Sequence, residues 1–268
     1  MSEELSHRSD PGRLVLDDLV LADRVRADIS SLYPEYVMGR VDVIVTTFNK
    51  AESIQRCIER LITTLEASGR EFRIIVADDA STDETVTRIR AIDDPRIDIL
   101  TSTHNQGKGA QVKRASRLTD ADIIAMFDGD LDIHPKSLAS ALCVIESSGV
   151  DVVVASKSHP DSEVQYPIGR RFLSQVFKLI CKSLFNLAVR DTQTGLKVFK
   201  GDLMRTFAPH VRDDGYLFDL ELLVMLSRQG FAITEVPVTI AFDFTSTVSF
   251  SAIIVMVRDL VRIWRSIS

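Results

Sequence analysis

Cysteine is scarce in this sequence: Cys57, Cys143 and Cys181 are the only three in 268 residues. They are far apart and lack metal-ligand spacing, so an odd count on apolar stretches reads as reduced core thiols in a cytoplasmic protein. Basic charge is in deficit. Thirty-two Lys and Arg face 38 Asp and Glu, a formal net charge of -6, which gives no global attraction to nucleic acid. An anionic ligand must then be held by a local device: a metal, a loop of backbone N–H groups or a few basic side chains. No run approaches the ~20 apolar residues of a spanning helix. The opening MSEELSHRSDPGR has no apolar run behind a basic start, so no signal peptide is expected. The G-x-x-x-x-G-K-[ST] loop and a G-x-G-x-x-G after the first strand are missing too, which removes the usual support for P-loop and Rossmann readings.

What remains is ordinary for a globular chain, 45% hydrophobic and 26% charged, and long enough for one large α/β domain or two small ones. A polar extension (1–39) carries helical periodicity at 14–32. From residue 40, short β-branched runs alternate with helical patterns: strands at 41–46, 72–77, 97–100 and 123–127, helices at 54–65, 85–92 and 109–118. Asn49 and Ser53 are cap candidates for the first helix, and Ser81 or Thr82 for the second. This pitch implies right-handed crossovers and a mostly parallel central sheet flanked by helices. The second half reads as a helix at 139–147, a strand at 150–156, a basic amphipathic stretch at 170–187, a strand at 196–199, a helix at 219–229 and a strand at 232–240. The domain closes near 245, and 246–268 holds an amphipathic helix at 253–264.

Ligands on such sheets bind beyond the carboxyl ends of the strands. Four polar clusters fall there: Thr47–Phe48–Asn49, Asp78–Asp79, residues 104–108 and Asp128–Gly129–Asp130. Two carboxylates two residues apart can reach one hard cation, and Gly129 admits a ligand close to the backbone. Mg²⁺ and Mn²⁺ are typically held in this way, by one or two carboxylates plus substrate phosphates. Asp132 adds a candidate ligand. A strand-terminal carboxylate such as Asp78 or Asp79 can accept hydrogen bonds from a nucleobase or ribose, and NQGKGA offers a diphosphate-facing loop.

The segments TTFNKAESI, IIVADDASTDETV, HNQGKGAQ and IIAMFDGDLDIHP, in that order and spacing, resemble glycosyltransferase family 2. The resemblance is strongest to the polyprenyl-phosphate sugar synthases such as dolichol-phosphate mannose synthase. It continues through RDTQTGLKVF, YLFDLELL and ITEVPVTI and covers about residues 40 to 245. It implies the GT-A fold, a divalent cation (Mg²⁺ or Mn²⁺) and a nucleotide-sugar donor, with GDP favoured. It also implies Asp128 and Asp130 as DxD metal ligands with Asp132 beside them, and Thr47, Phe48, Asn49, Asp78 and Asp79 as the nucleoside-receiving segments. Gly107 and Lys108 fall near the nucleotide, and Asp191, Gln193 and Gly195 near the sugar and reacting oxygen. Asp219 and Glu221 match an acidic pair on a later helix.

A leaving nucleoside diphosphate develops negative charge that a cation with Lys108 or Arg170 stabilises. An alcohol acceptor needs a general base, for which Asp191 and Asp219 are candidates, whereas a phosphate acceptor needs none. The later Arg…Gly-x-Ser-Lys segment of the polyprenyl-phosphate enzymes is absent; residues 242–251 read FDFTSTVSFS. Three readings therefore stand: transfer to an acceptor, polyprenyl phosphate being the family default; isomerisation of the nucleotide sugar itself by a mutase or epimerase; and binding without catalysis. The apolar face and arginines at 253–264 suit a peripheral membrane contact, or docking on the domain or a second subunit.

Overall fold

The computed structural model describes residues 39–162 and 189–240, with isolated positions at 181, 184, 185 and 187. The helices expected at 14–32 and 253–264, most of the stretch at 170–187 and Arg170 lie outside the described residues. Within them, seven strands form one sheet in the order β3-β2-β1-β4-β6-β5-β7. They are β1 (Val41–Thr47), β2 (Phe72–Asp78), β3 (Ile97–Thr101), β4 (Ile123–Asp128), β5 (Val152–Ser156), β6 (Lys197–Lys200) and β7 (Ile233–Pro237). The helices are α1 (Ile54–Ala67), α2 (Thr85–Arg90), α3 (Lys108–Ser116), α4 (Lys136–Ser148), α5 (Gly201–Phe207) and α6 (Phe218–Arg228).

The strands are apolar at nearly every position because both faces of the sheet are covered. Val43, Val45, Ile74 and Phe127 pack with Ile58, Leu61 and Leu65 of α1 and with Leu138 and Leu142 of α4. Ile44, Ile75, Ile124 and Met126 pack on the other face with Val112 of α3, Met204 of α5 and Leu220 and Leu223 of α6. Cys57 and Cys181 are buried free thiols in these two layers. Among the described residues no helix is long and apolar enough to cross a membrane.

Two features of the topology build the site. Strand β1 lies between β2 and β4, so the crossovers part on either side of it and leave a crevice at its carboxyl end. Strand β6 runs antiparallel to both β4 and β5. Its amino end therefore lies beside the carboxyl end of β4, with Lys197 opposite Met126. The residues just before Lys197 are thereby delivered to Asp128.

Some local expectations fail for identifiable reasons. Ser53 occupies the N-cap of α1 without a side-chain cap bond; its hydroxyl donates to the Gly129 carbonyl at 3.0 Å instead. Ser81 and Thr82 do not cap α2, whose N-cap is Glu84. Asp83 serves that turn, accepting from the Thr85 N–H (3.0 Å) and hydroxyl (2.5 Å). The strand expected through 240 ends at Pro237; beyond it Thr239 and Ile240 stand in isolated bridges, Ile240 with Ile133. Helix α5 was not expected: it is one short piece of seven residues starting at a glycine, too brief to display periodicity.

Candidate active site at the carboxyl edge of the sheet

Strand β4 ends at Asp128, and the chain turns sharply through Gly129 and Asp130. The Gly129 N–H donates to the Thr46 carbonyl at 3.0 Å, which ties the turn to β1. The Asp132 N–H donates to Asp130 Oδ1 at 3.1 Å, which folds the third carboxylate back toward the second. Asp128, Asp130, Asp132, Ile133, Lys157, Gln193 and Gly195 line an open cleft of about 130 Å³.

The cleft is electrostatically uneven. Burial, then the charges of Asp128 and Asp132, push the Asp130 carboxyl up to about 6. Burial also works against the charge on Asp128. There it is outweighed by the Lys108 ammonium, by Lys197 and by a hydrogen bond from Thr46, so the group stays below the usual carboxylate range. Lys108 Nζ lies 2.9 Å from Asp128 Oδ1 and 3.2 Å from Asp219 Oδ2. Lys197 Nζ lies 2.8 Å from Asp219 Oδ1 and donates to the Thr194 carbonyl at 2.5 Å. Burial lowers the Lys197 pKa in spite of Asp219. Four charges thus alternate in a chain, Lys197–Asp219–Lys108–Asp128, that leads from the core to the cleft.

Oxygen donors and local negative charge, only partly offset at Asp130 by Lys50, suit a hard divalent cation. Among the described residues no three His, Cys, Asp or Glu converge as a complete metal-holding group. Asp128 and Asp130 could hold such a cation together with phosphate oxygens and water.

The loops around the cleft are fastened by the other carboxylates. Asp79 accepts from the N–H groups of Gln106 and Gly107, both at 2.8 Å, and from the Gln111 amide at 2.7 Å. Asp78 accepts from the Ser81 N–H (3.1 Å) and hydroxyl (2.5 Å). Asn49, at φ 51°, accepts from the Thr82 N–H at 2.8 Å and donates its own N–H to Ser81 at 2.9 Å. Gly107, at φ 96°, leaves no room for a Cβ, which would sit 2.3 Å from the Asp214 carbonyl. The glycine thereby sets Lys108 at the first turn of α3.

Asp191 is buried; it accepts from the Lys157 N–H at 3.1 Å, while its own N–H donates to Glu235 at 3.1 Å. Gln193 reaches the cleft, and among the described residues its Nε2, like Thr47 Oγ1, is buried without a hydrogen-bond partner. Phe48 is exposed at the rim of its loop. Glu221 is buried away from the cleft's lining and accepts from the N–H groups of Arg212 (3.1 Å) and Asp213 (2.9 Å). The sequence reading missed Lys197 and Glu235. Lys197 opens β6 ahead of the buried Val198 and Phe199 and its side chain is only 1% exposed; a lysine at an inward strand position is the available signal.

The family model for glycosyl transferase family 2 matches residues 42–208, more than half of the chain. The chain belongs to this family. The glycosyltransferase is 28% identical over 202 residues to AglD, a glycosyltransferase of Haloferax volcanii. That match takes in 74% of this chain and 32% of AglD, so the present chain spans less than half of that protein. Dolichyl-phosphate beta-glucosyltransferase of Dictyostelium discoideum is 26% identical, over 83% of this chain and 73% of its own. Undecaprenyl-phosphate mannosyltransferase of Micrococcus luteus is 27% identical, over 75% of this chain and 83% of its own. Among solved structures, glucosyl-3-phosphoglycerate synthase from Mycobacterium tuberculosis, in complex with Mn²⁺, UDP and phosphoglyceric acid, superposes with a TM-score of 0.67 at 18% identity. The match covers 93% of this glycosyltransferase and 82% of that chain, and the shared architecture is the GT-A fold.

Proposed function

We propose that this glycosyltransferase moves a sugar from a nucleoside-diphosphate sugar to a polyprenyl phosphate, with a divalent cation on the Asp128–Asp130 turn. The nucleoside half of the donor fits the loops headed by Thr47, Phe48 and Asn49 and by Asp78 and Asp79, and the sugar fits beside Gln193 and Asp191. A GDP-sugar is favoured by the mannosyltransferase resemblance, and a UDP-sugar is the alternative carried by the solved fold neighbour. A lipid acceptor makes the enzyme peripheral to a bilayer on the cytoplasmic face.

Asp130, the carboxylate left without a cationic partner of its own in the charge chain, is the principal ligand of Mg²⁺ or Mn²⁺; Asp128 and Asp132 flank it. Bound there, the cation would neutralise charge on the departing diphosphate. Lys157 faces the same cleft and adds positive charge to the rim. Gln193 orients the sugar with its amide donor.

The observation that carries the acceptor assignment is the state of the two base candidates. Asp219 is pinned between Lys108 and Lys197, and Asp191 holds the Lys157 backbone. Neither is arranged to take a proton from an alcohol, whereas a phosphate acceptor is already ionised and needs no base.

The test is an incubation of the purified enzyme, with Mn²⁺ or Mg²⁺, and labelled GDP-mannose or UDP-glucose, with and without polyprenyl phosphate. Labelled lipid that forms only when polyprenyl phosphate is present supports the proposal. Equal nucleotide release without it, or an isobaric new sugar nucleotide by NMR, overturns it in favour of another acceptor or of isomerisation.

A further inference from the structure

Lys197 has no route to a substrate: it is 1% exposed, and its ammonium is consumed by Asp219 and the Thr194 carbonyl. Burying such a pair is expensive, and apolar replacements of buried pairs are often neutral or stabilising. Packing alone therefore does not account for the pair. Its geometry does suggest a role, because Asp219 spends its second oxygen on Lys108, the same ammonium that holds Asp128.

One lysine is therefore shared between a carboxylate in the core and a carboxylate at the cleft. Whatever strengthens the hold of Asp219 on Lys108 loosens the hold of Lys108 on Asp128. Lys197 competes with Lys108 for Asp219, so it sets how that sharing divides. Gly195 keeps the arrangement tight, since a Cβ there would lie 2.3 Å from Asp128 Oδ2; Asp128 has little freedom to escape its lysine by moving.

We propose that the buried Lys197–Asp219 pair is a positioning device that sets the cation affinity of the Asp128–Asp130 turn through Lys108. The inference rests on the metal reading above. It predicts opposite signs for its two halves. In Lys197→Met, Asp219 draws Lys108 inward, Asp128 is left more negative, and the turn binds a cation more tightly. In Asp219→Asn, two ammoniums lose their shared counter-charge, Lys108 closes on Asp128, and the turn binds a cation more weakly. Lys50 and Lys157, which also face the turn, are untouched in both.

The experiment titrates Mn²⁺ alone into the full chain, then Mn²⁺ with UDP or GDP present, and follows free Mn²⁺ by electron paramagnetic resonance. Lys197→Met is expected to bind Mn²⁺ about tenfold more tightly than wild type and Asp219→Asn about tenfold more weakly, roughly 1.4 kcal/mol each way. The double variant Lys197→Met/Asp219→Asn, in which the pair is replaced by neutral groups, returns to within about threefold of wild type. If Lys197→Met does not fold, as read by circular dichroism, the other two variants decide. Weakening in Asp219→Asn that the double variant reverses supports the inference, and equal weakening in both overturns it. Weakening in both single variants likewise marks a structural role only. Wild-type protein that takes up no Mn²⁺ even with UDP and GDP overturns the metal reading itself, a result distinct from any pattern among the variants.

Discussion

At the scale of single residues, Asp130 and Gly195 carry the sharpest consequences. The raised pKa of Asp130, about 6, has three sources in order: burial, Asp128 and Asp132. A carboxylate raised in the folded state destabilises the fold as pH climbs from the ordinary carboxylate value to about 6, the reverse of a salt-bridged aspartate. A cation reverses the sign by replacing the proton. Mn²⁺ affinity is therefore expected to fall about tenfold per pH unit below about 6 and to level off above it. A Mn²⁺ titration series from pH 5 to 7.5 measures this, and a flat profile, or one unchanged in Asp130→Asn, rules it out. Gly195→Ala tests the close approach from the other side. Its Cβ would overlap Asp128 Oδ2, and displacing a reacting group by about 1 Å costs about 10²-fold in rate. Turnover that drops this far, with a urea midpoint lowered because the overlap reaches Asp128 Cγ and Cβ as well, is the expected result.

At the scale of elements, the fold was legible wherever one period dominated. Strands β1, β2 and β4 are near-continuous apolar runs because helices cover both faces, and α1 shows its buried stripe at Ile54, Cys57, Ile58, Leu61 and Leu65. What the residues could not announce was which partner a polar group would find. Ser81 has the right chemistry for a cap, yet it bonds to Asp78 and Asn49 across a loop. Lys197 gains its meaning only once β6 is seen to run antiparallel between β4 and β5. Asp79 is the test case, since a strand-end carboxylate suits a ligand or a loop equally well. Here it fastens the loop through the N–H groups of Gln106 and Gly107 and helix α3 through the Gln111 amide. Asp79→Ala is expected to cost about 2 kcal/mol in urea unfolding, because hydrogen bonds to a charged group are lost and the buried Gln111 amide is stranded. Unchanged stability with lost nucleotide binding would assign Asp79 to the ligand instead.

At the scale of the whole molecule, the sheet spaces its polar ends so that one ligand can touch many elements. The carboxyl ends of β1, β2, β4 and β5 and the amino end of β6 converge on the crevice, and no single element there is complete without the others. A ligand that bridges them should therefore stabilise the entire fold, not one loop. At about 100 times its Kd, a ligand that binds only the native state adds about 2.7 kcal/mol. For a chain of this size each kcal/mol moves Tm by about 2–4 °C. Mn²⁺ with the correct nucleoside diphosphate is thus expected to raise Tm by about 5–10 °C in a thermal-shift assay. Parallel runs with GDP and UDP identify the base by which of the two gives the larger shift. The shift should require both components, because a cation held by the Asp128–Asp130 turn would take further ligands from the diphosphate. It should vanish in Asp130→Asn, which keeps the shape of the turn but removes the carboxylate. Equal shifts in that variant and in wild type would place the nucleotide somewhere other than the Asp128–Asp130 cleft.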